Sequence, residues 1–528
     1  MAENLPDVSP PADENRGLAR SATIIALGNV ASRVLGLVRD RVKGHYFGST
    51  GAVSAYESAV IIPVTIYDLL VGGLVTSALV PVFSDYLARD QRDELWQLVG
   101  TLLALLTAAL ALFVAVVQVA APFIADFMAP DYSPELRALL IRLLRVLVFG
   151  LFFMSLAAVL SGLLYALKRF TLPTFTAALF NLGIIVGALA LHTQLGVTGL
   201  AVGLLLGAAL QVVVQLPGLR GTRLRLGLNW RHPGLRRIGR LYVPIILGLI
   251  ISNASVLIST RLINSTGERS FAWNDYATSL MQFPLGLVVT AVSVAILPTL
   301  SRQAVTSQTE FRATLGQGVR LVLALIIPAV AGMALLARPI TALVYESGAF
   351  TAADSSIVSL VLRVQMIGVF FAAVDQPLIF AFYARQDTLT PALVGMATVA
   401  LYLLVALVIS RLRALTLLDL VAANDAQLAG HALVMLNLFR RRLGGFADRS
   451  VWTTLGRALL AAAGMACLTA AALFGVNSLG LPPSLWQRLL SVVIPGGVGL
   501  VAYFWLAERL QVAELGQALS LLRRRLSL

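Results

Sequence analysis

The sequence predicts an all-α polytopic membrane protein with about fourteen transmembrane helices, arranged as two six-helix lobes and two further helices. Its composition, its series of apolar segments and an internal repeat support this prediction. Of the 528 residues, 58% are hydrophobic and only 12% are charged, and the mean hydropathy is +0.85. Soluble domains are about 45–50% apolar and about 25% charged. The composition therefore excludes a soluble multidomain enzyme and a disordered chain.

The first twenty residues predict a short, disordered cytoplasmic tail. They contain the acids Glu3, Asp7, Asp13 and Glu14 and three prolines, which is the reverse of the basic start of a signal peptide. The single cysteine, Cys467, lies in an apolar segment and excludes both a disulfide framework and a cysteine metal site. No nucleotide-binding loop or cofactor motif is present, so we expect no cofactor and a secondary transporter.

Apolar segments bounded by charges, glycines or prolines follow one another along the rest of the chain. Because the backbone must satisfy its own hydrogen bonds in hydrocarbon, each is predicted to be a helix. The fourteen segments are 21–45, 52–86, 97–128, 135–166, 172–193, 196–218, 240–263, 271–301, 317–346, 354–384, 390–411, 415–439, 452–476 and 486–508.

Basic residues predict the topology. The net charge is +14, but the arginines lie in short loops, which favours membrane orientation over nucleic-acid binding. With the N-terminus inside, the basic loop 221–239, the Arg440–Arg442 run and the basic tail 509–528 all face the cytoplasm. Arg411 and Arg413 fall outside, against the rule. The prediction is a multi-pass protein of the bacterial plasma membrane with both termini cytoplasmic.

An internal repeat divides the chain. Val80-Pro81 recurs as Leu297-Pro298. At a spacing only one position longer, the set Arg145, Gly150, Phe152 and Phe153 recurs as Arg363, Gly368, Phe370 and Phe371. The repeat predicts lobes at 21–220 and 240–440, followed by an extra helix pair at 450–508. Transporters built from such repeats bind their substrate between the halves.

The first helix carries the most informative polar pattern. Its members are spaced 4-3-4-3 and share one helix face: Asn29, Arg33, Gly36, Asp40 and Lys43. Arg39 lies at the edge of this face. Since charges in membranes usually face a protein interior or a wet cavity, the pattern predicts a cationic stripe that lines a cavity and holds a phosphate or diphosphate.

Two other interpretations of this helix stay open. Lys43 and Arg41 near the helix end are expected to reach the membrane interface, as long basic side chains do. Alternatively, acids of the second helix neutralise the stripe. Glu57 is expected level with Arg39, and Asp68 within about one turn of Arg33, which would form a static series of ion pairs.

Polar residues of the later helices are sparser. Asp375 and Arg363 share the tenth segment, and Asn424, Asp425 and His431 share the twelfth. They are candidates for a coupling-ion site or a proton relay, although hydrogen bonding between helices is an alternative role. Gly199, Gly203 and Gly207 predict close helix packing in the sixth segment.

Several motifs over about residues 20–445 resemble the MurJ (MviN) lipid II flippases of the multidrug/oligosaccharidyl-lipid/polysaccharide exporter superfamily. They are Ser32-Arg33-Val34-Leu35-Gly36-Leu37-Val38-Arg39-Asp40 with Phe47-Gly48, Gly162 with Arg169-Phe170 and Pro173 through Asn181, Leu280-Met281-Gln282-Phe283-Pro284 through Leu297-Pro298, and Phe382-Tyr383-Ala384 with Asp387-Thr388 and Thr390-Pro391.

The resemblance implies that the chain moves undecaprenyl-diphosphate-linked peptidoglycan precursor, lipid II, from the inner to the outer leaflet by alternating access. It also implies a cationic cavity that includes Arg33, Arg39 and Asp40, and a lipid-tail groove at the last two helices. The chain departs from the family pattern where Asp68 and Ser279 replace arginines and Ser54 replaces an aspartate. We therefore expect substrate contacts from Asn29, Glu57, Asp68 and Ser279 as well as from the first-helix charges.

Those departures leave other functions open. Arg261 or Arg39 would cover for the missing cations in a lipid II flippase with a rearranged cavity. The alternatives are export of another polyprenyl-linked sugar, export of an organic cation, or a non-transporting membrane scaffold. The expected partners are the lipid substrate, the bilayer and a coupling ion of unknown identity.

Overall fold

The computed structural model describes residues 12–70, 74–222, 227, 229–286, 290–446, 450–482, 484–512 and 514. Within these ranges the chain forms α-helices, two short helical turns of other types and no strand. The α-helices are α1 (Ala12–Phe47), α2 (Gly51–Leu70), α3 (Val80–Ala88), α4 (Arg92–Met128), α5 (Pro134–Ala166), α6 (Thr171–Thr174), α7 (Thr176–Leu195), α8 (Thr198–Gln215), α9 (Pro233–Asn264), α10 (Ser270–Pro284), α11 (Thr290–Thr306), α12 (Gln308–Leu335), α13 (Ala337–Tyr345), α14 (Ala352–Ala384), α15 (Leu389–Leu412), α16 (Leu417–Leu443), α17 (Ser450–Ser478) and α18 (Leu485–Arg509).

The predicted all-helical class is confirmed, and each of the fourteen predicted segments coincides with one helix or with two consecutive helices. In the described part of the chain, nine helices are long and apolar enough to cross a membrane. The number fourteen for the membrane crossings stays a prediction. The disordered tail predicted at residues 1–20 is wrong for residues 12–20, because α1 begins at Ala12. Residues 1–11, and most of the tail predicted at 509–528, lie outside the described residues.

The chain divides into two compact units, residues 1–264 and 265–528. In the first unit, α5 packs against α2, α3, α4 and α8, and α7 packs along α8. In the second unit, α14 packs against α10, α11, α12 and α16, and α15 packs along α16. Helices related by the sequence repeat therefore have the same neighbours within each unit. α9 belongs to the first unit, and the lobe boundary predicted between 220 and 240 stays a prediction.

Side-chain contacts repeat as well. Arg145 Nε on α5 donates to the Gln118 carbonyl oxygen of α4 at 3.2 Å. Arg363 Nε on α14, at the equivalent position of the repeat, donates to the Ala334 carbonyl oxygen of α12, also at 3.2 Å. The two arginines of the sequence repeat thus tie corresponding helix pairs together, which supports the repeat at the level of single contacts.

Close packing of α7 on α8 depends on glycine. An added Cβ at Gly187 would lie 2.4 Å from the Gly203 Cα atom, and one at Gly183 would lie 2.3 Å from the Gly207 Cα atom. The backbones of these helices touch where no side chain stands between them. The predicted close packing at Gly199, Gly203 and Gly207 is confirmed, and its partner is α7.

The last two helices belong to the second unit. α17 packs against α18 and α12, and the Tyr503 hydroxyl of α18 donates to the Ala324 carbonyl oxygen at 2.6 Å. Beyond α18, the Glu514 carboxylate accepts a bond from Arg320 Nε at 2.5 Å. Arg320 Nη1 also donates to the Ser450 hydroxyl at the start of α17, so the pair is fastened to α12 by side-chain hydrogen bonds as well as by packing.

Candidate functional site

A tight turn brings the end of α1 next to the start of α2. Gly48 ends α1 with a φ of +63°, a left-handed conformation that glycine adopts without a steric penalty, and the Thr50 hydroxyl donates to the Phe47 carbonyl oxygen at 3.2 Å. The chain reverses over residues 48–50. Polar side chains in the last turns of α1 can therefore reach those in the first turns of α2.

Lys43 occupies this junction and is almost fully buried, with 1% of its side chain exposed. Its Nζ atom lies 2.5 Å from the Glu57 Oε1 atom on α2 and 3.6 Å from the Asp40 Oδ1 atom one turn earlier on α1. The prediction that Lys43 reaches the membrane interface is wrong. The side chain stays inside the protein, where two carboxylates offset part of the cost of burying its charge.

Arg39 continues the network from α1 to α7. Its Nε atom donates to the Asp40 Oδ1 atom at 3.0 Å, and its Nη1 atom donates to the Asn181 Oδ1 atom at 3.0 Å. The Asn181 amide nitrogen donates in turn to the Ser32 carbonyl oxygen of α1 at 3.2 Å. The predicted edge position of Arg39 thus places it at the packed interface of α1 with α7.

The pairing between charges differs from the one expected from sequence. Glu57 was expected level with Arg39, but it contacts Lys43, one turn further along α1. The short 48–50 turn sets this register, because it brings the last turns of α1 next to the first turns of α2. Asp68 is exposed, and the described residues include no ion pair between Asp68 and Arg33.

Asn29 and Arg33 lie about three and two turns, respectively, before Arg39 on α1, and both are exposed. The four charged side chains whose contacts are described above, Arg39, Asp40, Lys43 and Glu57, are neutral as a set. Arg33 therefore adds a positive charge to α1 that the acids of the network do not offset. A guanidinium on such a surface can bind an anion with paired hydrogen bonds.

Ser279 belongs to α10 in the second unit and is half-buried. Its neighbour Thr278 accepts a bond from the Gln365 amide nitrogen of α14 at 3.0 Å. Of the predicted residues of the first unit, Arg39, Asp40 and Glu57 thus belong to the network around Lys43. The contacts of the described residues leave Asn29, Arg33 and Asp68 outside it.

Sequence reasoning missed Asn181 as a site residue. It is buried and bridges two helices, and its signal in the sequence is an amide within the apolar first half of α7. Lys43 was placed on the correct face, but its partner Glu57 could not be assigned without the turn geometry.

Comparison with known proteins identifies the relatives. A family model described as lipid II flippase MurJ matches residues 43–489. A probable lipid II flippase MurJ from Haemophilus influenzae is 31% identical over 386 residues, covering 69% of this chain and 75% of the relative. A probable lipid II flippase MurJ from Vibrio cholerae is 29% identical over 511 residues and covers 93% of this chain and 95% of the relative.

Solved structures show the same fold. A structure of the lipid II flippase MurJ in an inward closed conformation aligns with a TM-score of 0.75 at 20% identity, covering 92% of this chain and 99% of that one. A multidrug resistance MATE transporter in an inward-facing conformation aligns with a TM-score of 0.68 at 14% identity, covering 78% of this chain and 94% of that one. These likenesses place the helical arrangement within the transporter fold of both groups.

Proposed function

Since the chain belongs to the lipid II flippase MurJ family, we propose that it moves lipid II across the bacterial cytoplasmic membrane. The observation that carries this proposal is the family match over residues 43–489, which includes almost all the helices. Relatives of nearly equal length carry the same name. Export of another polyprenyl-linked sugar or of an organic cation, and a scaffold without transport, have no such support.

We propose that Arg33 and Arg39 contact the anionic head group of the lipid. Arg33 is exposed and Arg39 is 30% exposed, so both guanidinium groups reach the surface of the first unit. Asp40 and Asn181 hold the Arg39 side chain from two directions. This support fixes the guanidinium plane, which is the requirement for bidentate binding of a phosphate.

We assign Asp40, Lys43 and Glu57 a positioning role rather than a contact with the substrate. Their ion pairs join α1 to α2 within the first unit. Asn29 is exposed on the same helix as Arg33 and is proposed to add an amide hydrogen bond to the head group. Asp68 and Ser279, where the resemblance expects arginine, are proposed to weaken the binding of a dianion relative to other family members.

The orientation and energy source are part of the same proposal. The basic loop 221–239 and the basic C-terminal tail favour cytoplasmic termini. Lipid movement without chemical conversion needs no catalytic residue, and the absence of a nucleotide-binding motif in the sequence supports a driving force from membrane potential or an ion gradient, worth about 2.3 kcal/mol per charge per 100 mV.

Complementation tests this function. The full chain is expressed in bacterial cells whose own lipid II flippase is depleted. We expect growth and cell shape to be restored, because the chain would supply the missing transport of lipid II. Matched cells carrying the empty vector should lyse. A chain that reaches the membrane at normal levels without rescuing growth would contradict the proposal.

A further inference from the structure

Two ionisable side chains of the second unit meet between α14 and α16. The Asp375 Oδ2 atom lies 2.6 Å from the His431 Nδ1 atom, and the two side chains are only 10% and 14% exposed. The other ring nitrogen, Nε2, lies 3.4 Å from the Pro391 carbonyl oxygen on α15. Within the described residues the Asp375 Oδ1 atom has no hydrogen-bond partner. The pair is thus enclosed by three helices.

A second acid lies further along the same interface. Asp425 on α16 is 5% exposed, and neither of its carboxylate oxygens has a hydrogen-bond partner within the described part of the chain. Its Oδ1 atom lies 2.2 Å from the place that a Cβ atom of Gly368 would occupy. Gly368 therefore makes the room in which this carboxyl group is buried.

Helix geometry relates the two positions. Gly368 and Asp375 are seven residues apart on α14, so they share one face about 10 Å apart along the axis. Asp425 and His431 contact this face from α16 at its two levels. The α14–α16 interface therefore buries a lone acid at one level and an acid–histidine pair at the other.

Burial decides which charge states are stable. An isolated carboxylate in an apolar interior is far less stable than its neutral, protonated form. Asp425 without partners is therefore stable when it carries a proton. The Asp375–His431 pair is neutral overall when both ring nitrogens carry a proton beside an ionised carboxylate, and it carries a net negative charge when one of these two protons is lost. Each level can hold and release one proton.

The ionisable groups on surrounding helices form no ion pair with these three residues within the described ranges. Asp354 pairs with Arg269, Arg320 with Glu514, and Arg338 with Glu346, while Arg363 donates to a backbone carbonyl. The other ionisable groups of the helices packed against α14 and α16 are Asp275, Tyr276, Arg302, Glu310, Arg312, Tyr345, Tyr383, Tyr402, Arg411, Asp419, Arg440, Arg441 and Arg442.

We propose that the α14–α16 interface is a proton-binding site, with the Asp375–His431 pair and Asp425 as its two protonation positions, and that it couples proton entry to transport. The coupling rests on the function proposed above. A proton is favoured over a metal ion because the described residues include no group of three or more histidine, cysteine or acidic side chains that could hold a metal.

Transport in vesicles tests the coupling. The purified full chain is placed in liposomes with fluorescently labelled lipid II, at zero membrane potential and with a pH gradient of one unit. If one proton moves per lipid, the gradient should shift the distribution of label between the leaflets by up to about tenfold, since one pH unit is a factor of ten in equilibrium. Asp375→Asn, His431→Gln and Asp425→Asn should still exchange label but lose this shift.

The control removes a carboxylate elsewhere in the same unit. Glu508 on α18 is exposed, so Glu508→Gln should keep the full pH-driven shift. The coupling is overturned if all three site variants keep the shift, or if the wild-type chain responds to a sodium gradient and ignores the pH gradient.

Proton binding is also measured without transport. Difference titration of the solubilised protein should show that the wild-type chain binds about one more proton than His431→Gln between acid and neutral pH, while Glu508→Gln matches the wild type. If the wild-type chain moves no labelled lipid II, the proposed function fails, and the titration then tests the proton-binding site on its own. Identical titration curves for the wild type and all three site variants would overturn the proton-binding site itself.

Discussion

At the residue scale, buried charges organise the first unit. Lys43 is nearly inaccessible and is held between Glu57 and Asp40. The desolvation cost of such a pair can exceed its attraction, but removing one partner leaves an uncompensated buried charge. The network is therefore sensitive to single substitutions, whatever its net contribution to the stability of the wild-type chain.

Lys43→Met should lower the free energy of unfolding by about 3–5 kcal/mol, the usual cost of breaking a buried pair, because it leaves Glu57 without its closest cation. The double variant Lys43→Met, Glu57→Met should recover part of this loss. Thermal unfolding of the purified protein measures both effects. Arg92→Ala removes an exposed pair worth at most about 1 kcal/mol and serves as the control. Equal melting temperatures for Lys43→Met and wild type would contradict the structural role.

Arg33 and Arg39 should differ from Lys43 in what they affect. Arg33→Ala and Arg39→Ala are expected to reduce lipid II transport at least about tenfold, the effect of losing about 1.4 kcal/mol of head-group binding. Arg33 is exposed and makes no ion pair in the described part of the chain, so Arg33→Ala should leave the melting temperature unchanged. Labelled lipid II in vesicles reports transport, with Arg92→Ala again as the control. A stable Arg33→Ala variant with unchanged transport would exclude Arg33 from the substrate site.

Helical periodicity predicted part of this site. The 4-3-4-3 spacing placed Asp40 and Lys43 on one face, and the two do contact each other. The contact of Arg39 with Asn181, 142 residues away, depends on how α1 packs against α7, which no local pattern encodes. The Lys43–Glu57 pair depends on the backbone of a three-residue turn, and counting residues from that turn misplaced it by one helical turn.

At the element scale, the sequence predicted helices better than their partners. The apolar segments located the α-helices of the described residues, because an apolar segment that crosses a bilayer must satisfy its own backbone hydrogen bonds, as a helix does. The glycine spacing of α8 predicted close packing against another helix, but it did not indicate which helix is the partner. The structure assigns it to α7, where Gly183 and Gly187 remove the side chains that would keep the backbones apart.

Gly203→Ala should separate α7 from α8. The added Cβ would lie 2.7 Å from the Gly183 carbonyl oxygen. Its nearest neighbours are backbone atoms, which cannot move aside as a flexible side chain could. We expect a loss of about 1–3 kcal/mol in the free energy of unfolding, as for other overpacked sites. Gly475→Ala on α17, where a Cβ meets nothing within 4 Å, should be neutral or slightly stabilising. Thermal unfolding compares the two, and equal stability of both variants would contradict backbone contact.

At the scale of the whole molecule, the repeat is the clearest link between sequence and structure. Arg145 and Arg363 occupy equivalent positions of the repeat and make the same bond to a neighbouring helix of their units. Because corresponding helices have corresponding neighbours in the two units, one arrangement of helices, used twice, describes most of the chain. The final pair, α17 and α18, has no counterpart in the described part of the first unit and packs on α12.

The predicted membrane topology can be mapped with cysteines. The chain has one cysteine, Cys467, so Cys467→Ala provides a background without thiols. Single cysteines are then introduced at exposed loop positions. Asp90→Cys lies in a loop predicted to be cytoplasmic. Asp131→Cys and Arg413→Cys lie in loops predicted to be external. Leu481→Cys lies between α17 and α18.

A membrane-impermeant thiol reagent added to intact cells should label the cysteines at Asp131, Arg413 and Leu481 and leave the one at Asp90 unlabelled until the membrane is opened. Arg413 gives the sharpest test of orientation, because it is basic and yet predicted to be external, against the positive-inside rule. Labelling at Asp90 alone would invert the topology. Protection of Leu481 together with labelling of Arg413 would mean that α17 and α18 re-enter from the cytoplasmic side without crossing, since the loop that connects them would then not reach the outside.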